Sequence, residues 1–237
     1  MTLASGDRLY AIGDVHGRAD LLDRLLGSIR ADAAEAAPGR RLAVFLGDYV
    51  DRGPDSKGVI ERAIQPDLPG FIVVTLLGNH DFMMRGFLDQ PARWGPTWLM
   101  PVNGGDTTLE SYGVEPPRRV SGLARARDQL AHALPGAHRA FLEALAPCHA
   151  AAPYFFAHAG IRPGVALDRQ SLDDLIWIRE EFLDSEAEHG SVVVHGHSIA
   201  PEPELRANRI GIDTGAWRTG RLTAAVLSAA PPRFLTT

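Results

Sequence analysis

Apolar runs of strand length stop again and again at glycine beside aspartate, asparagine or histidine, and this pattern constrains the chain most. Leu9–Ile12 runs into Gly13-Asp14-Val15-His16-Gly17, and Leu42–Leu46 into Gly47-Asp48-Tyr49-Val50-Asp51-Arg52-Gly53. Phe71–Leu77 runs into Gly78-Asn79-His80-Asp81. Between the first two runs, Leu21, Leu22, Leu25, Leu26 and Ile29 mark one face of a helix, and Val59–Ile64 lies in a second. Strand–helix–strand alternation of this kind predicts α/β layers around a largely parallel sheet. The third run reads as a strand buried on both faces, a depth at which polar side chains are costly.

The middle of the chain differs. From Phe82 to Cys148 no strand is evident, Ala92–Thr108 is rich in Trp, Pro and Gly, and Glu115-Pro116-Pro117 breaks the chain. Leu123–Leu145, interrupted at Pro135, reads as helical. Residues of about 82–150 are therefore expected to form a helical insert on a single domain spanning 1–237. Strands resume at Tyr154–Ala157, Ser191–Val194, Arg209–Ile212 and Leu222–Leu227, with helix only around Leu172–Phe182, which predicts a mixed or antiparallel second half. The tail from Pro231 onward is expected to fray. A net charge of -5 argues against broad binding to nucleic acid or an anionic membrane. Cys148 is the sole cysteine, so no internal disulfide is possible; it reads as a small apolar filler. No run approaches the length of a membrane span, and no basic start with an apolar stretch follows Met1, so a cytoplasmic protein is expected.

Two later runs end in the same way, at His158-Ala159-Gly160 and at His195-Gly196-His197. In open α/β sheets the carboxyl ends of strands converge on one crevice. Any one cluster alone reads as a turn or a helix cap. The repetition is the signal, because His16, His80, His158, His195 and His197 account for five of the nine histidines. Carboxylates, imidazoles and one amide without thiolate suit Mn, Fe or Mg-like ions rather than a structural zinc. Six or seven such ligands are too many for one ion, and two ions sharing a carboxylate would use them.

In this order GDVHG, GDYVDRG, GNHD, HAG and HGH resemble the motifs of the calcineurin-like metallophosphoesterases. More narrowly, the chain is similar to compact bacterial and phage-type serine/threonine phosphatases of the phosphoprotein phosphatase family, from Gly13 to about Gly215. The resemblance implies an α/β fold of two mixed β-sheets packed as a sandwich and flanked by helices. It implies two divalent metal ions, Mn2+ first with Fe or Zn as alternatives. Asp14, His16 and Asp48 would hold one, Asn79, His158 and His197 the other, and Asp48 would bridge them. His80 corresponds to the general acid, Asp51 to its orienting carboxylate, and Arg52 and the Arg179 of Trp177-Ile178-Arg179 to phosphate-binding arginines. The implied activity is direct attack of a bridging hydroxide on phosphoserine or phosphothreonine. The alternative is hydrolysis of phosphoanhydrides such as diadenosine tetraphosphate or RNA 5′ ends, and relatives of that kind tend to lack the aspartate at the place of Asp51. A phosphoprotein or phosphorylated small molecule is the expected partner, with no nucleic acid and no membrane. Asp81 stands where many members carry Glu, and Ser198 where Thr is common. The chain also ends soon after its last strand, so no regulatory subunit is expected.

Other residues receive plainer readings. His195 and Asp213 are expected to support the site from behind, and Asp81 to cap the helix that begins at Phe82. Trp94 and Trp98 are expected in the core of the insert, with a lining of the substrate cleft, together with Asn103-Gly104-Gly105, as the lesser alternative. His132, His138, His149 and His189 are expected at the surface, and Arg118, Arg119, Arg125 and Arg127 as solvated charges.

Overall fold

The computed structural model describes residues 3–237. The alternating units form β1 (Arg8–Ile12), α1 (Ala19–Glu35), β2 (Arg41–Phe45), α2 (Ser56–Ile64) and β3 (Ile72–Thr75). Five helices follow: α3 (Asn79–Asp89), α4 (Pro91–Trp98), α5 (Gly105–Ser111), α6 (Leu123–Ala133) and α7 (Gly136–Ala144). The chain continues through β4 (Cys148–Ala151), β5 (Tyr154–Ala157), α8 (Leu172–Trp177), α9 (Glu180–Leu183) and β6 (Val192–His195). It closes with β7 (Glu204–Leu205), β8 (Arg209–Gly211), α10 (Ala216–Thr219), β9 (Thr223–Leu227) and β10 (Arg233–Thr236).

The strands form two five-stranded sheets, β10-β9-β1-β2-β3 and β4-β5-β6-β8-β7. In the first, β1, β2 and β3 are parallel while β9 and β10 run antiparallel. In the second, β5, β6 and β8 are parallel between antiparallel edges β4 and β7. Strand periodicity builds the layers. Leu9 and Ala11, Leu42 and Val44, Phe156, Val194 and Ile210 meet in a core between the sheets. The intervening Tyr10, Ile12, Ala43 and Phe45 face outward, covered by Leu21, Leu22, Leu25 and Ile29 of α1 and by Val59 and Ile60 of α2. On the far side Phe155, Ala157 and Val193 pack under Leu175, Ile176 and Phe182. The fold is thus the expected sandwich of two mixed sheets flanked by helices.

Several details differ from the sequence reading. Phe71–Leu77 is not a strand buried on both faces: β3 is the sheet's edge, and Ile72 is 57% exposed. Only Leu76 and Leu77 sink into the core. There the Leu77 N–H donates to the Ala146 carbonyl (2.8 Å) and the Ala146 N–H to the Thr75 carbonyl (3.0 Å). The helices of the insert begin at Asn79 and end at Ala144, and Cys148–Ala151 pairs with β5 as a strand. Its Cys-His-Ala-Ala sequence carries no β-branched side chain to announce one. The tail does not fray but adds β10 to β9, with Leu235 and Phe234 packed on the two faces of the sheet. His138 is buried, its Nδ1 2.8 Å from the Tyr112 hydroxyl. The stretch Leu172–Phe182 breaks between α8 and α9, where Arg179 adopts φ -134° and ψ -105°.

Candidate active site

The strand ends and the turn after β3 bring Asp14, His16, Asp48, Asp51, Asn79, His80, His158 and His197 to one rim, where all are buried. The backbone there is strained. Among the described residues, positive φ outside glycine occurs at His16 (44°), Asp48 (53°), Asp51 (74°), Arg52 (67°) and His197 (61°) and nowhere else. A left-handed residue with a side chain costs about 1–2 kcal/mol, against a net stability of about 5–15 kcal/mol for a typical domain. Strain gathered at one place in this way is the mark of a working site. The loops after β2 and β3 also cross so closely that a Cβ on Gly78 would overlap the Asp48 carboxylate and backbone nitrogen. Asp81 fastens that crossing. Its carboxylate accepts the N–H of Asp48 (2.8 Å), of Tyr49 (3.0 Å) and of Gly78 (3.0 Å). The helix begins at Asn79 rather than Phe82, so Asp81 caps α3 from within its first turn, through the Gly78 N–H, instead of preceding it, and its other two bonds make it a clip between two loops.

Asn79, His158 and His197 converge beside Asp48. His158 Nε2 lies 2.9 Å from Asn79 Oδ1 and 3.2 Å from His197 Nδ1, which is itself 2.9 Å from Asn79 Oδ1. Asp48 Oδ1 is 3.5 Å from His158 Nε2. The tautomer of His158 is set from behind, because Nδ1–H donates to the Leu46 carbonyl (2.9 Å) and leaves Nε2 as a lone pair. Burial holds both imidazoles neutral: the His158 pKa is lowered, and that of His197 is pushed down to about 2. A carboxamide oxygen, a carboxylate and neutral imidazole nitrogens about 3 Å apart are the spacing expected around a cation with ligands at roughly 2.0–2.2 Å. This donor set fits a divalent metal ion.

The neighbouring cluster gathers atoms of His16, Asp48 and His80 within 4.8 Å of one another. His16 Nδ1–H donates to the Val50 carbonyl (2.8 Å), so Nε2 presents its lone pair, 3.3 Å from Asp48 Oδ2. The Arg52 guanidinium reaches the same lone pair at 2.7 Å. Asp14 stands slightly apart and accepts the His197 N–H (3.0 Å). Burial, and then repulsion from Asp213 and Asp48, raises its pKa, while that of Asp213 is pushed up to about 6, chiefly by burial. Carboxylates crowded like this are relieved by a cation, so this cluster also fits a metal ion.

His80 Nδ1 is bonded to Asp51 Oδ2 at 2.7 Å. Asp51 is wholly buried and would be costly without partners. Trp98 Nε1–H donates to both of its oxygens (3.1 and 2.9 Å), and the Thr108 hydroxyl to Oδ1 (2.7 Å). Trp98 and Thr108 belong to the helical insert, so the insert builds part of the site. Trp98 was expected as core first and as a lining of the cleft second, without a link to Asp51, and Thr108 was not singled out at all; no local pattern marks residues that meet Asp51 from 47 and 57 positions away. Arg179 contacts the Ser198 hydroxyl (3.4 Å) beside His197. The His195 ring lies between the Gly196 carbonyl (3.1 Å from Nδ1) and Arg209 (3.4 Å from Nε2).

Two packed mixed sheets with such a rim define a class, the metallophosphoesterases, which hydrolyse phosphate esters with divalent metal ions. The family model for calcineurin-like phosphoesterases matches residues 7–217, and the chain belongs to that family. A bis(5′-nucleosyl)-tetraphosphatase PrpE [asymmetrical] of Bacillus cereus (strain AH820) is 25% identical over 231 residues, 90% of this chain and 87% of the relative. A symmetrical bis(5′-nucleosyl)-tetraphosphatase of Acidovorax sp. (strain JS42) is 44% identical over 73 residues, a match spanning 31% of this chain and only 23% of the relative's length. Among solved structures, a candidate diadenosine tetraphosphatase superposes with a TM-score of 0.64 at 22% identity, covering 100% of this chain and 96% of that one. A cold-active protein-tyrosine phosphatase of a psychrophilic Shewanella gives 0.57 at 18% identity, over 99% and 83%. At those identities the two structures speak for the fold alone.

Proposed function

We propose that the protein hydrolyses the phosphoanhydride chain of a dinucleoside polyphosphate. The observation that carries this reading is the likeness to the tetraphosphatase PrpE along 90% of the chain. It reverses the order expected from the sequence, where phosphoserine or phosphothreonine came first. Two divalent ions, Mn2+ in our proposal, held by Asp14, His16 and Asp48 and by Asn79, His158, His197 and the shared Asp48, would supply an ionised water near neutral pH and neutralise phosphoryl charge.

The chain's own groups do the rest. Arg52 and Arg179 flank the rim from its two clusters and can grip phosphoryl oxygens in charge-assisted bonds. His80 is held by Asp51 through Nδ1, which leaves Nε2 as the atom that passes a proton to the departing oxygen. Asp51 keeps the ring in place, and Trp98 and Thr108 keep Asp51.

One observation favours the second reading, a phosphomonoesterase acting on phosphoprotein. The Asp51–His80 pair is most valuable when the leaving group is an alkoxide, which needs a proton far more than a departing nucleotide phosphate does. Assays of a dinucleoside tetraphosphate and of phosphoserine and phosphothreonine peptides at equal concentration test the choice. We expect kcat/KM on the dinucleotide to be at least about tenfold higher; the opposite order overturns the proposal.

A further inference from the structure

The chain has four tryptophans. Trp98 is fully buried on Asp51 and Trp94 is half-buried in the insert. Trp177 and Trp217 are exposed, at 38% and 36%, and both lie against the rim. Trp177 meets the His197 ring edge to face, with centroids 6.5 Å apart and planes at 89°. It lies two residues before Arg179. Trp217, on α10, carries the Arg52 guanidinium 5.5 Å from its ring centroid. Each candidate phosphate-gripping arginine thus has an exposed indole beside it, one at each cluster.

We infer that Trp177 and Trp217 are the stacking platforms for the two nucleobases of the substrate. This rests on the reading of the substrate as a dinucleoside polyphosphate. Phosphates drawn in by Arg52 and Arg179 would leave a base on either side within reach of an indole face. Such stacking is sequence-tolerant, because every base has a π-face.

The surroundings of Trp177 support a base rather than another phosphate there. A depression of about 360 Å3 opens beside it, lined also by Asp173, Asp174, Glu180 and Glu181. The one other arginine in it, Arg162, is already taken by Asp174 (2.6 Å) and Glu181 (2.7 Å). Carboxylates repel a phosphate but accept hydrogen bonds from an exocyclic amine of adenine, guanine or cytosine.

The experiment uses the Mn2+-supplied enzyme and three variants: Trp177→Ala, Trp217→Ala and Trp177→Phe. Diadenosine tetraphosphate is compared with inorganic tripolyphosphate, which has the anhydride and no base. We expect the ratio of kcat/KM, dinucleotide over tripolyphosphate, to fall by about tenfold or more in each alanine variant, mainly through KM, and to be largely restored in Trp177→Phe. Indole fluorescence of the wild type is expected to be quenched by ADP and not by pyrophosphate. A wild-type ratio retained in both alanine variants, or equal quenching by the two ligands, overturns the platform assignment while leaving the dinucleotide reading standing. A wild type that turns over phosphopeptides and not the dinucleotide sinks the earlier reading, and the platforms with it.

Discussion

The two clusters on the rim share Asp48 and differ in almost everything else. At Asn79, His158 and His197 the meeting atoms are oxygens and neutral imidazole nitrogens, with no positive group among them. At His16 the corresponding lone pair already has a cationic partner, the Arg52 guanidinium. The backbones differ too, since four of the five strained residues lie in the loops after β1 and β2 and only His197 follows a strand of the second sheet, β6. One half of the rim therefore presents neutral and anionic donor atoms alone, while the other carries a positive charge of its own. In the proposed reaction a metal ion held at His16 would take the nitrogen that Arg52 contacts here, and the guanidinium would be available to a phosphate.

The strongest way to break this comparison is to remove what the halves share. Asp48→Asn is expected to lower kcat by ~10³-fold or more, beyond the loss of a single electrostatic group, and to reduce bound metal below two ions per chain. Two tightly held ions in metal analysis would refute the sharing. A sharper test separates the halves. In a chelator titration His197→Ala should lose the tighter ion and His16→Ala the weaker one, each by more than the ~10–100-fold that an outer partner costs; the reverse order would erase the distinction. Trp98→Phe keeps an aromatic ring, smaller than the indole, but drops the bond to Asp51; a hydrogen bond to a charged acceptor is worth about 1.5–3 kcal/mol. We expect kcat to fall about 10–100-fold with KM and metal content held, whereas a merely structural role would lower stability alone. The smallest effect isolates strain. Arg52→Gly and Arg52→Ala should lose turnover equally, but the glycine variant, free at φ 67°, should be more stable by about 1 kcal/mol in urea unfolding.

Much of this site was legible in the sequence, and for a physical reason. Parallel strands carry their carboxyl ends to one edge, so Asp14, Asp48, Asn79, His158 and His197 could be placed on a common rim from strand order alone. What periodicity cannot encode is backbone hand: nothing in the letters of His16 or Asp51 says that φ is positive. Contacts over long chain distances were hidden as well, which is why Trp98 and Thr108 were not connected with Asp51. The edge strands escaped for another reason. β10 follows two prolines and β4 lacks β-branched residues, so pairing with a neighbour, not intrinsic preference, makes them strands. His138 looked like a surface residue because its partner, Tyr112, lies 26 positions away.

The bonds that tie Leu77 and Thr75 to Ala146 carry a consequence for how such a protein can change. The helical excursion leaves the sandwich and returns to it at one stitched point. Lengthening a loop whose ends are already held costs little, about 0.6 kcal/mol for each doubling. The excursion can therefore be remodelled almost as a separate cassette, and evolution has room there to alter what the rim accepts. The excursion is tethered to the chemistry at its start, through Asn79, His80 and Asp81, and again at Trp98 and Thr108, so any replacement must keep the first turn of α3 and still offer Asp51 an indole and a hydroxyl, or their equivalents.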